Sequence, residues 1–158
     1  MNEKRTVKVV LNNDNFYLIR SIVIAIAYKE KIKERFKMLE RPTNKKLVAE
    51  VHKAAEACNI IKRRATINDI AELEKYFGKY RIIILGENYV DSAKVLYANP
   101  DYEKFESNIY LIHDGDHYNV IDSIKAFCGK YYFCEACVDI FSYKCDHYIC
   151  PLKTVSYK

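Results

Sequence analysis

The sequence predicts one α+β domain, with helices in the first half of the chain and strands in the second. Two observations lead to this prediction. Apolar residues recur at helical spacing up to about residue 78, and from residue 80 they form short β-branched or alternating runs. Helices that precede the strands, instead of alternating with them, are typical of this class. The 158 residues, of which 50% are hydrophobic, suffice for one sizeable core.

The first elements are a short extended segment and a long helix. Thr6–Leu11 ("TVKVVL") is β-branched and is predicted to be a strand or extended. Asp14 suits a helix N-cap, and the helical pattern then runs from Asn15 to about Met38. Pro42 ends this region because proline cannot continue a helix.

Two further helices are predicted before the strands begin. One runs from Lys45 to Cys58 along an apolar stripe. The other covers "TINDIAELEKYFG", in which Thr66 and Asp69 match a capping box and Gly78 suits the C-terminal stop.

The second half predicts a small antiparallel sheet. Tyr80–Leu85 is a buried strand, and Ala93–Ala98 is a shorter one. Asn108–His113 and His117–Ile121 form a β-hairpin with Asp-Gly in its turn.

The charge pattern contains one candidate site for a nucleic-acid partner. The net charge of +5 favours an acidic partner without requiring one. The run "KEKIKERFK" supplies its own acidic partners at helical spacing. Lys62, Arg63 and Arg64 have no acidic neighbour in the sequence, so they are the candidate phosphate contacts.

Nothing in the apolar pattern indicates a membrane. The stretch "MNEKRTVKVVLNN" lacks the apolar run of a signal peptide. Ile19–Tyr28, the longest apolar stretch, is interrupted by Arg20 and Ser21 and is too short to span a bilayer. We therefore expect no membrane partner and an intracellular location, in the cytoplasm or nucleus.

The cysteines are unevenly placed, and their spacing predicts a metal site. Five of the six lie between Cys128 and Cys150. Clustered cysteines without a secretory signal indicate metal ligands more than disulfides. A Cys-x2-Cys knuckle followed by further Cys and His residues is typical of structural zinc. Five candidates compete for four positions: Cys134, Cys137, Cys145, His147 and Cys150. Buried free thiols are the alternative interpretation.

A second constellation has the form of a cysteine-hydrolase site. Such a site needs a nucleophile at a helix start, a histidine base and a group that orients the histidine. "DNFYLIRSI" and "HYN" resemble the motifs of ovarian tumour (OTU) cysteine proteases, which have a papain-type fold. Asp14, His117 and Asn119 match the family's leading Asp, general base and orienting residue, whereas Tyr17 stands where the nucleophile would be.

A closer resemblance covers nearly the whole chain. Five blocks, "DNFYLIRSIVIAIAY", "TINDIAELEKYF", "YRIIILG", "IYLIHDGDHYNVIDSIKAF" and "YYFCEAC", are similar in order and spacing to the segment before the polymerase domain in Polinton (Maverick) transposon polymerases. Those are protein-primed family-B DNA polymerases. The polymerase aspartate motifs are absent here. The resemblance favours Cys134, Cys137, His147 and Cys150 as the zinc ligands, with Cys145 as the alternate for His147.

Together these patterns predict an OTU-like domain over residues 1–127 and a zinc-finger extension over 128–158, packed on it. We expect Tyr17 to be inactive as a nucleophile, because a phenol titrates near 10 and its ring would fill the place of the substrate. The chain would then be a pseudoenzyme that binds a ubiquitin-like or peptide ligand. One alternative is a nucleic-acid-binding accessory region of a mobile-element or viral DNA polymerase. Another is an active, deubiquitinase-like thiol hydrolase with an unrecognised nucleophile. Cys128 follows the hairpin and is the candidate near His117, whereas Cys58 lies on an apolar helical stripe and is expected in the core.

Overall fold

The computed structural model describes residues 6–12, 14–86, 94–115, 117–141 and 150. The helices of this part of the chain are α1 (Tyr17–Lys29), α2 (Arg35–Glu40), α3 (Lys45–Ala57), α4 (Ile70–Phe77) and α5 (Ile124–Cys128), with short 3-10 turns at Ile67–Asp69 and Tyr102–Lys104. The strands are β1 (Val7–Lys8), β2 (Tyr80–Gly86), β3 (Val95–Tyr97), β4 (Ser107–Asp114), β5 (His117–Ile121), β6 (Tyr132–Cys134) and β7 (Asp139–Phe141). The predicted α+β class is confirmed.

The central sheet is mixed, so the prediction of an antiparallel sheet is wrong in one pairing. The strand order is β1-β5-β4-β2-β3, and β2 runs parallel to β4 while the other neighbours are antiparallel. Every residue of β2 is buried, as expected for a strand covered on both faces. Residues 87–106 between the two strands give the length that a parallel crossover needs.

Asp14 does not cap α1 in the predicted way. The helix begins at Tyr17 with Phe16 in the N-cap position and no side-chain cap. The Asp14 carboxylate instead accepts the Phe16 N–H, at 2.9 Å, in a turn that precedes the helix.

The single helix expected from Asn15 to about Met38 is two helices, α1 and α2. Lys31 has a left-handed φ of 54°, and the Ile32 N–H donates to the Ala27 carbonyl at 2.9 Å. This is the Schellman pattern that ends a helix, here without glycine. The apolar spacing continues across the break, and for this reason the break was not visible in the pattern.

The ends of α3 and α4 agree with their predictions. The Asn44 side chain accepts the Leu47 N–H at 3.0 Å at the start of α3. The Thr66–Asp69 capping box is present ahead of α4, and Gly78 at its end has a φ of 76°.

Two of the apolar clusters formed by the described residues share the central sheet. The larger one packs α1 against β4, β5 and α3, and the Ser21 hydroxyl donates to the Tyr118 carbonyl to join α1 to β5. The smaller one contains Ile83, Leu85, Phe127, Cys128 and Val138 among its buried residues. The described part of the C-terminal extension therefore packs on the sheet.

Candidate metal centre and hydrolase-like cleft

Three cysteines converge beside the β6–β7 hairpin. The sulfur atoms of Cys134, Cys137 and Cys150 all lie within 4.8 Å of one another, and the Cys134 and Cys150 sulfurs are 3.6 Å apart. A disulfide would need about 2.05 Å. Tetrahedral zinc with Zn–S bonds of about 2.3 Å places its sulfur ligands about 3.8 Å apart. The Cys134 and Cys150 sulfurs are therefore too far apart for a disulfide, and the three sulfurs are close enough together to hold a metal ion.

Hydrogen bonds from the main chain around Cys134 favour the thiolate form of its sulfur. Burial alone would raise the pKa of the Cys134 thiol, but hydrogen bonds from the main chain at Cys137 and Ala136 and from neighbouring thiols lower it to about 7. Burial and the adjacent Cys134 raise the pKa of Cys137. One thiolate thus disfavours a second until a cation offsets their charge.

The structure brings together three of the predicted ligands. Cys145 and His147 lie outside the described residues. Cys58 and Cys128, the other described cysteines, are not members of the cluster. Cys128 is buried among apolar side chains, which raises the pKa of its thiol to about 11.

Side chains of the central sheet hold the knuckle (Cys134–Cys137), and sequence reasoning missed them. Arg81 of β2 is 1% exposed and donates to the carbonyls of Glu135 and Ala136 at 2.9 and 2.8 Å. Asn108 of β4 also donates to the Glu135 carbonyl, at 2.8 Å. The available signal was a lone arginine inside the apolar run "YRIIIL".

The second site places Tyr17 against His117. Tyr17 begins α1 and His117 begins β5, and their rings meet edge to face with centroids 5.3 Å apart. The Arg64 guanidinium lies over the Tyr17 ring, 4.5 Å from its centroid. The Tyr17 ring therefore contacts a cation on its face and an imidazole at its side.

Asn119 does not orient His117 in this structure. Asn119 is buried, and its side-chain oxygen accepts the Val10 N–H at 3.2 Å. Within the described part of the chain, no hydrogen bond joins Asn119 to the His117 imidazole. Asn119 instead anchors the extended segment before α1 to β5.

Asp14, the fourth residue of the hydrolase-like constellation, forms an ion pair with Arg20. Two nitrogens of the buried Arg20 side chain donate to the two Asp14 oxygens at 3.0 and 2.5 Å, and a third donates to the Pro42 carbonyl. Partial burial acts to raise the pKa of Asp14, but the hydrogen bonds from Arg20 and Phe16 hold it below its usual value. Asp14 therefore fixes the segment that leads into α1.

The basic run is exposed, but its three residues differ. Arg63 donates to both oxygens of Asp69 at 2.6 and 2.9 Å, so the view that the run lacks an acidic neighbour is wrong for this residue. Lys62 and Arg64 have no carboxylate within ion-pair distance among the residues that the structure describes. They remain the better candidates for phosphate contact.

No protein-family model, curated protein or solved structure matches this chain. None of the helices in the described ranges has both the length and the apolar character needed to cross a membrane. Function is therefore inferred from the two sites themselves.

Proposed function

We propose that this chain is a catalytically inactive OTU-like binding module with a structural zinc centre. The observation that carries the proposal is the contact of Tyr17 with His117. In a thiol hydrolase of this type, the residue at the helix start supplies the sulfur that the histidine activates. Here a phenol ring occupies that volume, and Arg64 covers its open face.

The remaining cysteines argue against an active thiol hydrolase. Burial raises the pKa of Cys128, which lies in the smaller apolar cluster. Burial also raises the pKa of Cys58, on the α3 side of the fold. Both thiols are thus disfavoured as thiolates, and a cysteine nucleophile needs the opposite shift.

Features near the Tyr17–His117 pair suit a ubiquitin-like or peptide ligand. Val9 and Leu11 are 63% and 48% exposed, on either side of Val10, which Asn119 anchors to β5. Asn119 is two residues beyond His117 on the same strand. Apolar side chains therefore project from a fixed extended segment joined to the strand that carries His117, where an extended tail would find apolar contacts.

The proposed zinc is structural. Cys134, Cys137 and Cys150 supply three sulfur ligands, and the fourth is assigned to His147, with Cys145 as the alternate. Four protein ligands leave no position for an activated water. The metal would then hold the C-terminal extension together without taking part in a reaction.

Binding of ubiquitin to the isotopically labelled chain, followed by NMR, tests the proposal. We expect saturable shifts at His117 and Arg64, and weaker binding by Arg64→Ala. Lys125→Ala is the matched control, because Lys125 is an exposed cation on α5, beside the smaller apolar cluster. Hydrolysis of ubiquitin-type esters by the unmodified chain would refute the inactive module.

A nucleic-acid-binding role is the second candidate, as the accessory region of a Polinton-type polymerase. It is favoured by the two exposed cations without carboxylate partners in the described ranges, Lys62 and Arg64. Phosphate binding releases counterions, so affinity for DNA would fall steeply with salt. Ubiquitin binding that persists at high salt would favour the first candidate.

A further inference from the structure

We infer that Arg81 is a positioning residue of the metal centre: its buried guanidinium holds the knuckle against the sheet and offsets the negative charge of the thiolates. This inference rests on the proposed zinc centre and assigns to it a residue far away in sequence. It makes the central sheet part of the metal site.

The guanidinium of Arg81 donates hydrogen bonds to main-chain carbonyls. One nitrogen donates to Asn99 at 2.6 Å, and another donates to both Glu135 and Ala136. Glu135 and Ala136 are the two residues between Cys134 and Cys137, so the hydrogen bonds from Arg81 hold the turn of the knuckle. Main-chain amides at Ala136 and Cys137 are hydrogen-bonded to the Cys134 sulfur. Fixing the carbonyls of this turn therefore also fixes the amides that face the sulfur.

Asn108 supports the same turn from the next strand. Its side-chain nitrogen donates to the Glu135 carbonyl at 2.8 Å and to the Tyr110 hydroxyl at 2.9 Å. The Glu135 carbonyl thus accepts hydrogen bonds from a side chain of β2 and a side chain of β4. Two neighbouring strands hold the knuckle, but only Arg81 brings a charge.

The charge of Arg81 needs a nearby anion because the side chain is 1% exposed. No carboxylate lies within ion-pair distance of Arg81 in the part of the chain that the structure describes. Burial lowers the pKa of Arg81, whereas the neighbouring Tyr110, Glu74, Cys137 and Cys134 act in the opposite direction and favour its charged form. A zinc ion with three or four thiolates keeps a net negative charge, which a buried guanidinium stabilises.

Two substitutions separate the roles of charge and hydrogen bonding. Arg81→Met keeps an apolar stem but removes the cation and its donors, and outer-shell losses of this kind weaken metal binding about 10-fold to 100-fold. Arg81→Lys keeps the charge but loses the planar fork, so we expect a smaller increase in the zinc dissociation constant, of about tenfold or less.

Arg20→Met is the matched control. Arg20 is also a buried arginine, 2% exposed, but it donates to Asp14, before α1, and to the carbonyl of Pro42, before α3. Its loss should reduce the free energy of unfolding without changing the zinc affinity of the folded protein.

Zinc affinity would be measured by competition with a chromophoric chelator, at a temperature where circular dichroism shows each apo variant folded. The Co²⁺-loaded proteins add a spectroscopic readout, since their visible bands report the sulfur geometry. We expect Arg81→Met to weaken zinc binding and shift these bands, while Arg20→Met changes neither. If Arg81→Met does not fold, Arg81→Lys and Asn108→Ala still test the hydrogen bonds that hold the knuckle, and an unchanged zinc affinity in both would overturn the positioning role of Arg81.

Equal zinc affinity and equal Co²⁺ spectra in Arg81→Met, Arg81→Lys and the unsubstituted protein would overturn the inference while leaving the zinc centre in place. Failure of the unsubstituted protein to bind Zn²⁺ or Co²⁺ would overturn the proposed centre together with this role of Arg81. The two failures are therefore distinguishable.

Discussion

The edge of the Tyr17 ring meets the His117 imidazole, with ring centroids 5.3 Å apart, at the point where α1 begins beside the hairpin of β4 and β5. The main chain thus places a helix start and a hairpin histidine side by side. That is the juxtaposition a nucleophile and its base require. In the proposed alignment with thiol hydrolases, Tyr17 stands where the nucleophile would be, so the position next to His117 holds an aromatic ring instead of a thiol.

Tyr17→Cys should restore a reactive thiol. The start of α1 and His117 both favour a thiolate, so we expect the introduced thiol to have a pKa below the free value of about 8.5. It should react with iodoacetamide near neutral pH faster than Cys58, whose pKa burial raises. Peptide mapping by mass spectrometry would give the rate at each site.

The matched variant for this experiment is Tyr17→Cys combined with His117→Ala. We expect slower alkylation of the introduced thiol, since the imidazole no longer assists its ionisation. Equal rates in the two variants, close to the rate of Cys58, would show that the alignment with OTU proteases is wrong.

Metal analysis of protein purified without chelator should find about one zinc per chain, the content of a single four-ligand site. Cys137→Ser should lose the metal and much of the fold, because metal affinity in such sites is also folding free energy. Cys58→Ser, outside the sulfur cluster, should retain both. Zinc well below one equivalent, with freely titratable thiols, would contradict the prediction.

Helix and strand positions were largely predictable because apolar periodicity and cap residues report local structure. The Thr66–Asp69 capping box was found by its spacing alone. The left-handed Lys31 and the parallel pairing of β2 with β4 depend on tertiary contacts, which no short window contains. Strand direction in particular requires knowing which segments become neighbours.

The candidate sites likewise contain some features that the sequence predicts and others that depend on tertiary contacts. Cysteine spacing predicted three candidate ligands whose sulfurs do converge. The partners of charged residues were not predictable. Arg63 donates a hydrogen bond to the Asp69 carboxylate, which lies on the next element. Arg81 of β2 donates to the carbonyl of Ala136 in the knuckle, which is distant in the sequence.

Lys62 and Arg64 should account for most of any affinity for DNA. Arg63 is held by Asp69, so its replacement should change the salt dependence least. Removing one phosphate interaction reduces the slope of log K against log salt by about 0.9. We therefore expect Lys62→Ala with Arg64→Ala to flatten the slope by up to about 1.8, and Arg63→Ala by less than about 0.9. Fluorescence anisotropy with labelled duplex DNA measures these slopes. Absence of binding by the unsubstituted protein at low salt would end the nucleic-acid hypothesis.

Asp14 should make the stability of the fold sensitive to acid. Hydrogen bonds from Arg20 and Phe16 outweigh partial burial and hold the folded-state pKa of Asp14 below its usual value. A carboxyl with a depressed folded pKa stabilises the protein fully above its unfolded pKa of about 3.9, and this stabilisation is lost as pH falls through the folded value. Asp14→Asn removes the carboxylate charge that pairs with the buried Arg20 side chain, at a cost of about 3 kcal/mol near pH 7.

Urea unfolding from about pH 7 to about pH 3 would test this pH dependence. The difference in unfolding free energy between the unsubstituted protein and Asp14→Asn should stay constant down to about pH 4 and shrink below it. Glu72→Gln, which removes an exposed ion pair with Lys75, should stay within about 0.5 kcal/mol of the unsubstituted protein near pH 7. A difference for Asp14→Asn that does not change with pH would mean that the carboxylate charge does not stabilise Arg20, and that packing alone holds the turn before α1.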